Sequence, residues 1–78
     1  MKSEITIKRN QNKDLMMLKV LSTLLHYGAD FKASEIPFYM DKYENEDQIS
    51  IKANEECIEK SSKYFDEIGI KYTIVKVH

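Results

Sequence analysis

The sequence predicts a small α+β domain with the element order β-α-β-β-α-β. The hydrophobic pattern alternates in some segments and repeats every three to four residues in others, which is typical of strands and helices respectively. Asn residues stand where the helices begin, and the two glycines stand where they end. This order is the split βαβ arrangement of ferredoxin-like domains. We therefore expect a four-stranded antiparallel sheet with two helices on one face, in one domain over residues 1–78.

The first strand is predicted over residues 4–9, where isoleucines alternate with polar residues. The first helix is predicted over residues 13–27, with Asn12 as its N-cap and Gly28 at its C-terminal end. Its apolar residues spread over about 200°, although a helix on a sheet needs an apolar stripe of only about 100°. The excess predicts either an exposed binding surface or extra cover from elsewhere in the domain.

A hairpin is predicted next, with strands over residues 36–43 and 48–53. Pro37 would begin its first strand, where a missing N–H group is tolerated. Aromatic residues favour a strand over the first segment, and clean alternation favours one over the second.

The second helix is predicted over residues 55–68, capped by Asn54 and ended by Gly69. Its apolar residues form an ordinary one-sided stripe. The last strand is predicted over residues 70–77.

No catalytic, phosphate-binding or metal-ligating motif is present in the sequence. Cys57 shares the buried stripe of the second helix, so we expect it to pack as a small apolar residue. The alternative is a thiol activated by the helix N-terminus. His26 has no motif that supplies a nucleophile or an orienting acid. We expect no enzyme activity, no cofactor and no metal site.

Charge is unevenly distributed although the net charge is only −1. Residues 1–34 carry a net charge of +3 and residues 35–78 carry −4. The most acidic run contains Glu44, Glu46 and Asp47, at the tip of the predicted hairpin. This tip is either simply solvated or an acidic surface that meets a basic partner.

One flank of the first helix is the other candidate protein interface. Met16, Val20 and Tyr27 lie there, and methionine is common at adaptable binding surfaces. The sequence thus favours a small non-enzymatic module that binds a larger protein or a second copy of itself as a homodimer. Its size and AT-rich codon character fit a phage or mobile-element regulator that inhibits a host complex.

No segment approaches the roughly 18–20 apolar residues of a membrane span, and the N-terminus lacks the apolar region of a signal peptide. We expect a cytoplasmic protein that does not enter a membrane.

Nucleic-acid binding is the alternative function. The open sheet face would carry Lys8 and Lys52, with Arg9 and Lys71 nearby. These cations could contact phosphates, but the strands lack the aromatic residues on which RNA bases stack. Steep weakening by salt would identify such binding.

Overall fold

Three antiparallel strands and three α-helices form the structure, a computed structural model that describes residues 2–13 and 15–77. The elements are β1 (Lys2–Lys8), α1 (Met17–His26), α2 (Ile36–Glu46), β2 (Gln48–Asn54), α3 (Glu55–Ile68) and β3 (Thr73–Val77). Short 3₁₀ turns at Arg9–Gln11 and Ala33–Glu35 precede the first two helices. Within residues 2–13 and 15–77, no helix has the length and hydrophobicity that a membrane crossing requires.

The sheet has the strand order β2-β1-β3, with β1 in the centre. Ile5 lies opposite Ile51 on one side and Ile74 on the other, so the three share the face that the helices cover. Thr6 lies opposite Ser50 on the uncovered face, and their hydroxyl groups are 2.8 Å apart. The alternation predicted for the first strand and for residues 48–53 is confirmed by this register.

The prediction of a four-stranded ferredoxin-like sheet with two helices is wrong, because residues 36–46 form α2 instead of a strand. Ile36, Tyr39 and Tyr43 are spaced at three and four residues, and all three pack on the core. Their bulk resembles a strand segment, but their period is helical. Pro37 falls in the first turn of α2, where a helix needs no N–H donor.

The first helix also begins later than predicted, at Met17 rather than residue 13. Asn12 does not cap it. Its amide instead donates to the carbonyl groups of Lys8 and Lys71, at 2.9 and 3.0 Å, and its oxygen accepts from the Lys71 N–H at 2.7 Å. Asn12 thereby joins the end of β1 to the segment before β3. The sequence also places Asp14 in the first turn of the predicted helix, where a carboxylate complements the helix dipole, but this residue lies outside the described residues.

The end of α1 and both ends of α3 agree with the sequence predictions, whereas β3 begins at Thr73 rather than at residue 70. The Asn54 side chain accepts from the Cys57 N–H at 2.8 Å and caps α3. Gly69, at φ 82°, ends that helix, and the Ile70 N–H bonds back to the Phe65 carbonyl at 2.9 Å. Gly28, at φ 99°, ends α1 in the same Schellman geometry.

The hydrophobic core lies between the sheet and the helix layer. It contains residues of all three helices and of the two strands β1 and β2. The largest fully buried side chains are Phe65, Ile5, Ile7, Leu21, Leu24 and Ile49. α1 packs against both α2 and α3, so both of its flanks meet another helix.

Candidate protein-binding surface

The wide apolar face of α1 is only partly covered within the domain. Val20, Leu21 and Leu24 are fully buried. Met16, at the N-cap of α1, is 69% exposed, and Leu18 in the first turn is 51% exposed. The neighbouring helices therefore cover Met17 and the middle of the apolar face, and they leave Met16 and Leu18, on either side of Met17 in the sequence, in contact with solvent.

Side chains of the other two helices extend this exposed apolar surface. Met40 of α2 is 36% exposed and Ile68 of α3 is 42% exposed. Leu15 joins them, because it lines a cleft with Met16 and Ile68 and another with Met40. We call this surface the helix-end patch, and it comprises Leu15, Met16, Leu18, Met40 and Ile68.

A groove between α1 and α3 continues from the helix-end patch along α1. A cleft of about 240 Å³ lies in it, lined by Lys19, Ser22, Thr23, His26, Tyr27 and Tyr64. The Lys19 ammonium group is 5.7 Å from the centre of the Tyr64 ring. The His26 and Tyr27 rings meet edge to face, with centroids 4.9 Å apart. The cleft at the patch thus combines Met16 and Ile68 with polar residues and exposes more polar than apolar surface, whereas the cleft farther along is mainly apolar and aromatic. Lys19 lines both clefts.

The three residues predicted to form an interface on α1 occupy different depths. Met16 is exposed, and the partly buried Tyr27 lines the α1–α3 cleft. Val20 must be corrected to a core residue, because it is 0% exposed and cannot contact a partner. Its position on α1 turns its side chain into the core.

The acidic residues predicted at a hairpin tip lie at the C-terminal end of α2, since no hairpin forms there. Arg9 is 3.2 Å from Glu44 and 3.3 Å from Asp47, and it also donates to the Tyr43 carbonyl at 3.0 Å. Glu46 is exposed beside this cluster. Two residues of the predicted acidic interface therefore pair with a residue of the predicted nucleic-acid surface.

The four predicted phosphate-contacting residues do not form one surface. Lys8 and Lys52 are exposed on the open sheet face, but Glu4 lies directly opposite Lys52. Arg9 is held by the acidic end of α2. Lys71 precedes β3, where its backbone binds Asn12.

The interior position of Cys57 is confirmed, because it is 0% exposed. Its Sγ donates to the Leu24 carbonyl at 3.5 Å and lies 3.9 Å from the Ser61 hydroxyl. Burial raises the pKa of the thiol, with a smaller opposing effect from Ser61, so the neutral form is favoured. No cluster of three potential metal ligands occurs within residues 2–13 and 15–77.

The sequence patterns do not predict four members of the helix-end patch. Met40 falls in a segment predicted as a strand, and Ile68 in the predicted buried stripe of the second helix. Leu15 and Leu18 belong to the wide apolar arc of the first helix, whose exposed part the sequence does not identify. The helical spacing of Ile36, Tyr39 and Tyr43 was the signal that would have placed Met40 on a helix.

Comparisons of this chain with protein-family models, curated proteins and solved structures found no match. The candidate surface therefore rests on its geometry and chemistry.

Proposed function

We propose that this chain is a non-enzymatic protein-binding module and that the helix-end patch is its binding surface. The observation that carries the proposal is the 69% exposure of Met16 in one cleft with Ile68 of α3 and with Leu15, which lines a second cleft with Met40 of α2. A group of large apolar residues from three elements is unusual on a surface that faces only water.

The physical driving force is removal of these side chains from water. Fully burying one side chain of this size contributes about 1.5–3 kcal/mol. Methionine adapts its shape to a partner because its thioether chain is unbranched and flexible. Leu15 lines both the cleft that contains Met16 and the cleft that contains Met40, so a partner that covers Leu15 could bury both.

The partner is either another protein or a second copy of this chain. The narrower ideas of a phage or mobile-element inhibitor, a host target and a cytoplasmic location stay predictions. They rest on size and composition, and the helix-end patch does not bear on them.

Nucleic-acid binding stays the alternative, with weaker support. Lys8 and Lys52 share the open face with Glu4, and Arg9 already binds Glu44 and Asp47. A measurement with a labelled oligonucleotide at low salt separates the two functions, because phosphate contacts are strongest there. Absence of binding at low salt would remove this alternative.

Site-specific photo-cross-linking tests the proposed surface. Benzoylphenylalanine at position 16 is expected to give a discrete cross-linked product in lysate of the source cells. Position 75 is the matched control, because Val75 is also an exposed apolar residue, at 54%, but lies on the open sheet face. Equal products from both positions, or none from position 16, would contradict the proposal.

A further inference from the structure

The groove between α1 and α3 is lined by basic side chains. Lys19 lines both the aromatic cleft and the cleft that contains Met16 and Ile68. Lys13 and His26 supply further basic side chains at the two ends. Among the residues that the structure describes, no Asp or Glu lines either cleft. The groove is therefore suited to a negatively charged group.

Lys19 lies between the cleft at the helix-end patch and the aromatic cleft, because it lines both. The Lys19 N–H donates to the Met16 carbonyl at 3.1 Å, so the two residues are one helical turn apart. On the other side, the Lys19 ammonium group lies over the Tyr64 ring. A cation–π contact at an exposed site is worth about 0.5–1 kcal/mol, which favours this position of the charge.

Polar side chains also line the aromatic cleft. The Thr23 hydroxyl already donates to the Lys19 carbonyl at 2.8 Å. Ser22 and His26 line the same cleft. A carboxylate that reaches Lys19 would thus find further polar groups within the cleft, and its neighbouring apolar side chain would rest on Met16 and Ile68.

From this arrangement we infer that the groove binds a peptide segment of a partner protein in which an acidic side chain lies next to a bulky apolar one. The inference rests on the proposed function and adds the chemistry of the partner. Lys19 would bind the carboxylate, and the helix-end patch would bind the apolar side chain.

Two other anionic occupants are outcomes of the test. A second copy of this chain carries exposed carboxylates near exposed apolar residues, such as Asp41 one helical turn from Phe38, and a dimer that depends on Lys19 would identify it. A nucleic acid could place a phosphate at Lys19, but its charged backbone would gain nothing from the apolar side chains of Met16 and Ile68. Charge and apolar surface together therefore favour a protein segment.

Selection from a phage-displayed library of random dodecapeptides tests this chemistry with the folded chain. Enriched peptides are expected to carry Asp or Glu within four residues of Leu, Ile, Met or Phe. Failure to enrich any peptide, or enrichment without acidic residues, would overturn the inference.

Affinities of the enriched synthetic peptides then locate the charge. Lys19→Glu is expected to weaken them about tenfold, because an attraction becomes a repulsion. Lys63→Glu is the matched control, since it makes the same charge change at an exposed residue of α3 that lines neither cleft, and it should leave affinity within about twofold.

The variant Met16→Lys/Leu18→Lys separates this inference from the proposed function. Loss of peptide binding in that variant but not in Lys19→Glu would overturn the acidic-partner inference and leave the patch intact. Insensitivity to both variants would contradict both. Two further results would overturn the inference. One is a dimer in sedimentation that Lys19→Glu dissociates, and the other is binding of a labelled 12-nucleotide strand that Lys19→Glu abolishes.

Discussion

The Arg9 guanidinium group lies 5.1 Å from the centre of the Tyr43 ring and donates to the Tyr43 carbonyl at 3.0 Å. The backbone N–H of Arg9 also donates to the Asp47 carbonyl, at 2.8 Å. Arg9 follows β1 and Tyr43 lies in the last turns of α2, so this pair fixes the end of the helix against the end of the central strand. The Tyr43 carbonyl also accepts from the Asp47 N–H at 3.0 Å, whereas the Asp47 carbonyl at the helix C-terminus has no partner within the helix and is satisfied by the Arg9 backbone N–H.

Arg9→Gln is expected to lower the free energy of unfolding by about 1 kcal/mol. The substitution removes the cation–π contact and the contacts with Glu44 and Asp47, and solvent screening keeps their joint contribution modest. Urea denaturation measures the change.

Tyr43→Phe is the matched control for Arg9→Gln. It keeps the ring that Arg9 contacts, and the buried hydroxyl that it removes has no hydrogen-bond partner among the described residues. We expect stability equal to or slightly above that of the parent chain. A larger loss in Tyr43→Phe than in Arg9→Gln would contradict this description.

Asn12→Ala is expected to lower the free energy of unfolding by about 2 kcal/mol. The change removes three hydrogen bonds of a buried side chain, and the Lys71 N–H and carbonyl groups lose their Asn12 partner. Thermal or urea denaturation gives the value. Asn10→Ala, at an exposed position two residues earlier, should change stability by no more than about 0.5 kcal/mol.

Stability is expected to fall as pH rises above about 9, and Cys57 should account for the first part of the decrease. Burial raises the pKa of its thiol above the ordinary value of 9.0, as does the nearby Asp30, while Ser61 opposes the shift. The folded chain therefore holds the proton more tightly than the unfolded chain. This contribution is complete below the unfolded pKa and is lost as pH rises through the folded pKa.

Cys57→Ala isolates the effect of the thiol. Burial also raises the pKa values of Tyr39, Tyr43 and Tyr72 above 10.0, so their contribution begins at higher pH. The decrease in unfolding free energy between about pH 9 and 10 should be smaller in Cys57→Ala than in the parent chain. An identical pH profile would show that Cys57 does not contribute.

Much of the fold follows from local sequence patterns. The strict alternation of residues 48–53 and the Asn54 cap determine β2 and the start of α3, and both are read from neighbouring residues. Gly28 and Gly69 mark helix ends because a left-handed backbone is strained for other residues. Such features depend on a few adjacent side chains.

The errors occur where distant contacts decide the structure. Tyr39 and Tyr43 are acceptable in a strand, but contacts with Phe31 and Arg9 stabilise them on a helix. Asn12 is a suitable capping residue for the helix that begins nearby, but its side chain binds Lys71, which is 59 residues away. The exposure of Met16 was a reasonable expectation, whereas the burial of Val20 depends on where the neighbouring helices pack.

Because Met16 and Leu18 are exposed and Val20 is buried, substitution by Lys is expected to affect stability very differently at these positions. Met16→Lys and Leu18→Lys should each change the free energy of unfolding by no more than about 0.5 kcal/mol, since both positions are exposed. Val20→Lys should cost about 3 kcal/mol or more, because it places an unpaired charge in the core. Equal destabilisation by all three, measured by urea denaturation, would place Met16 and Leu18 in the core.

Competition in the photo-cross-linking experiment tests the central claim most directly. Unlabelled parent chain added in excess should suppress the product formed by benzoylphenylalanine at position 16. Folded Met16→Lys/Leu18→Lys, added at the same concentration, should leave the product nearly undiminished, because the helix-end patch is charged. Suppression by this variant as complete as that by the parent chain would contradict binding through the patch.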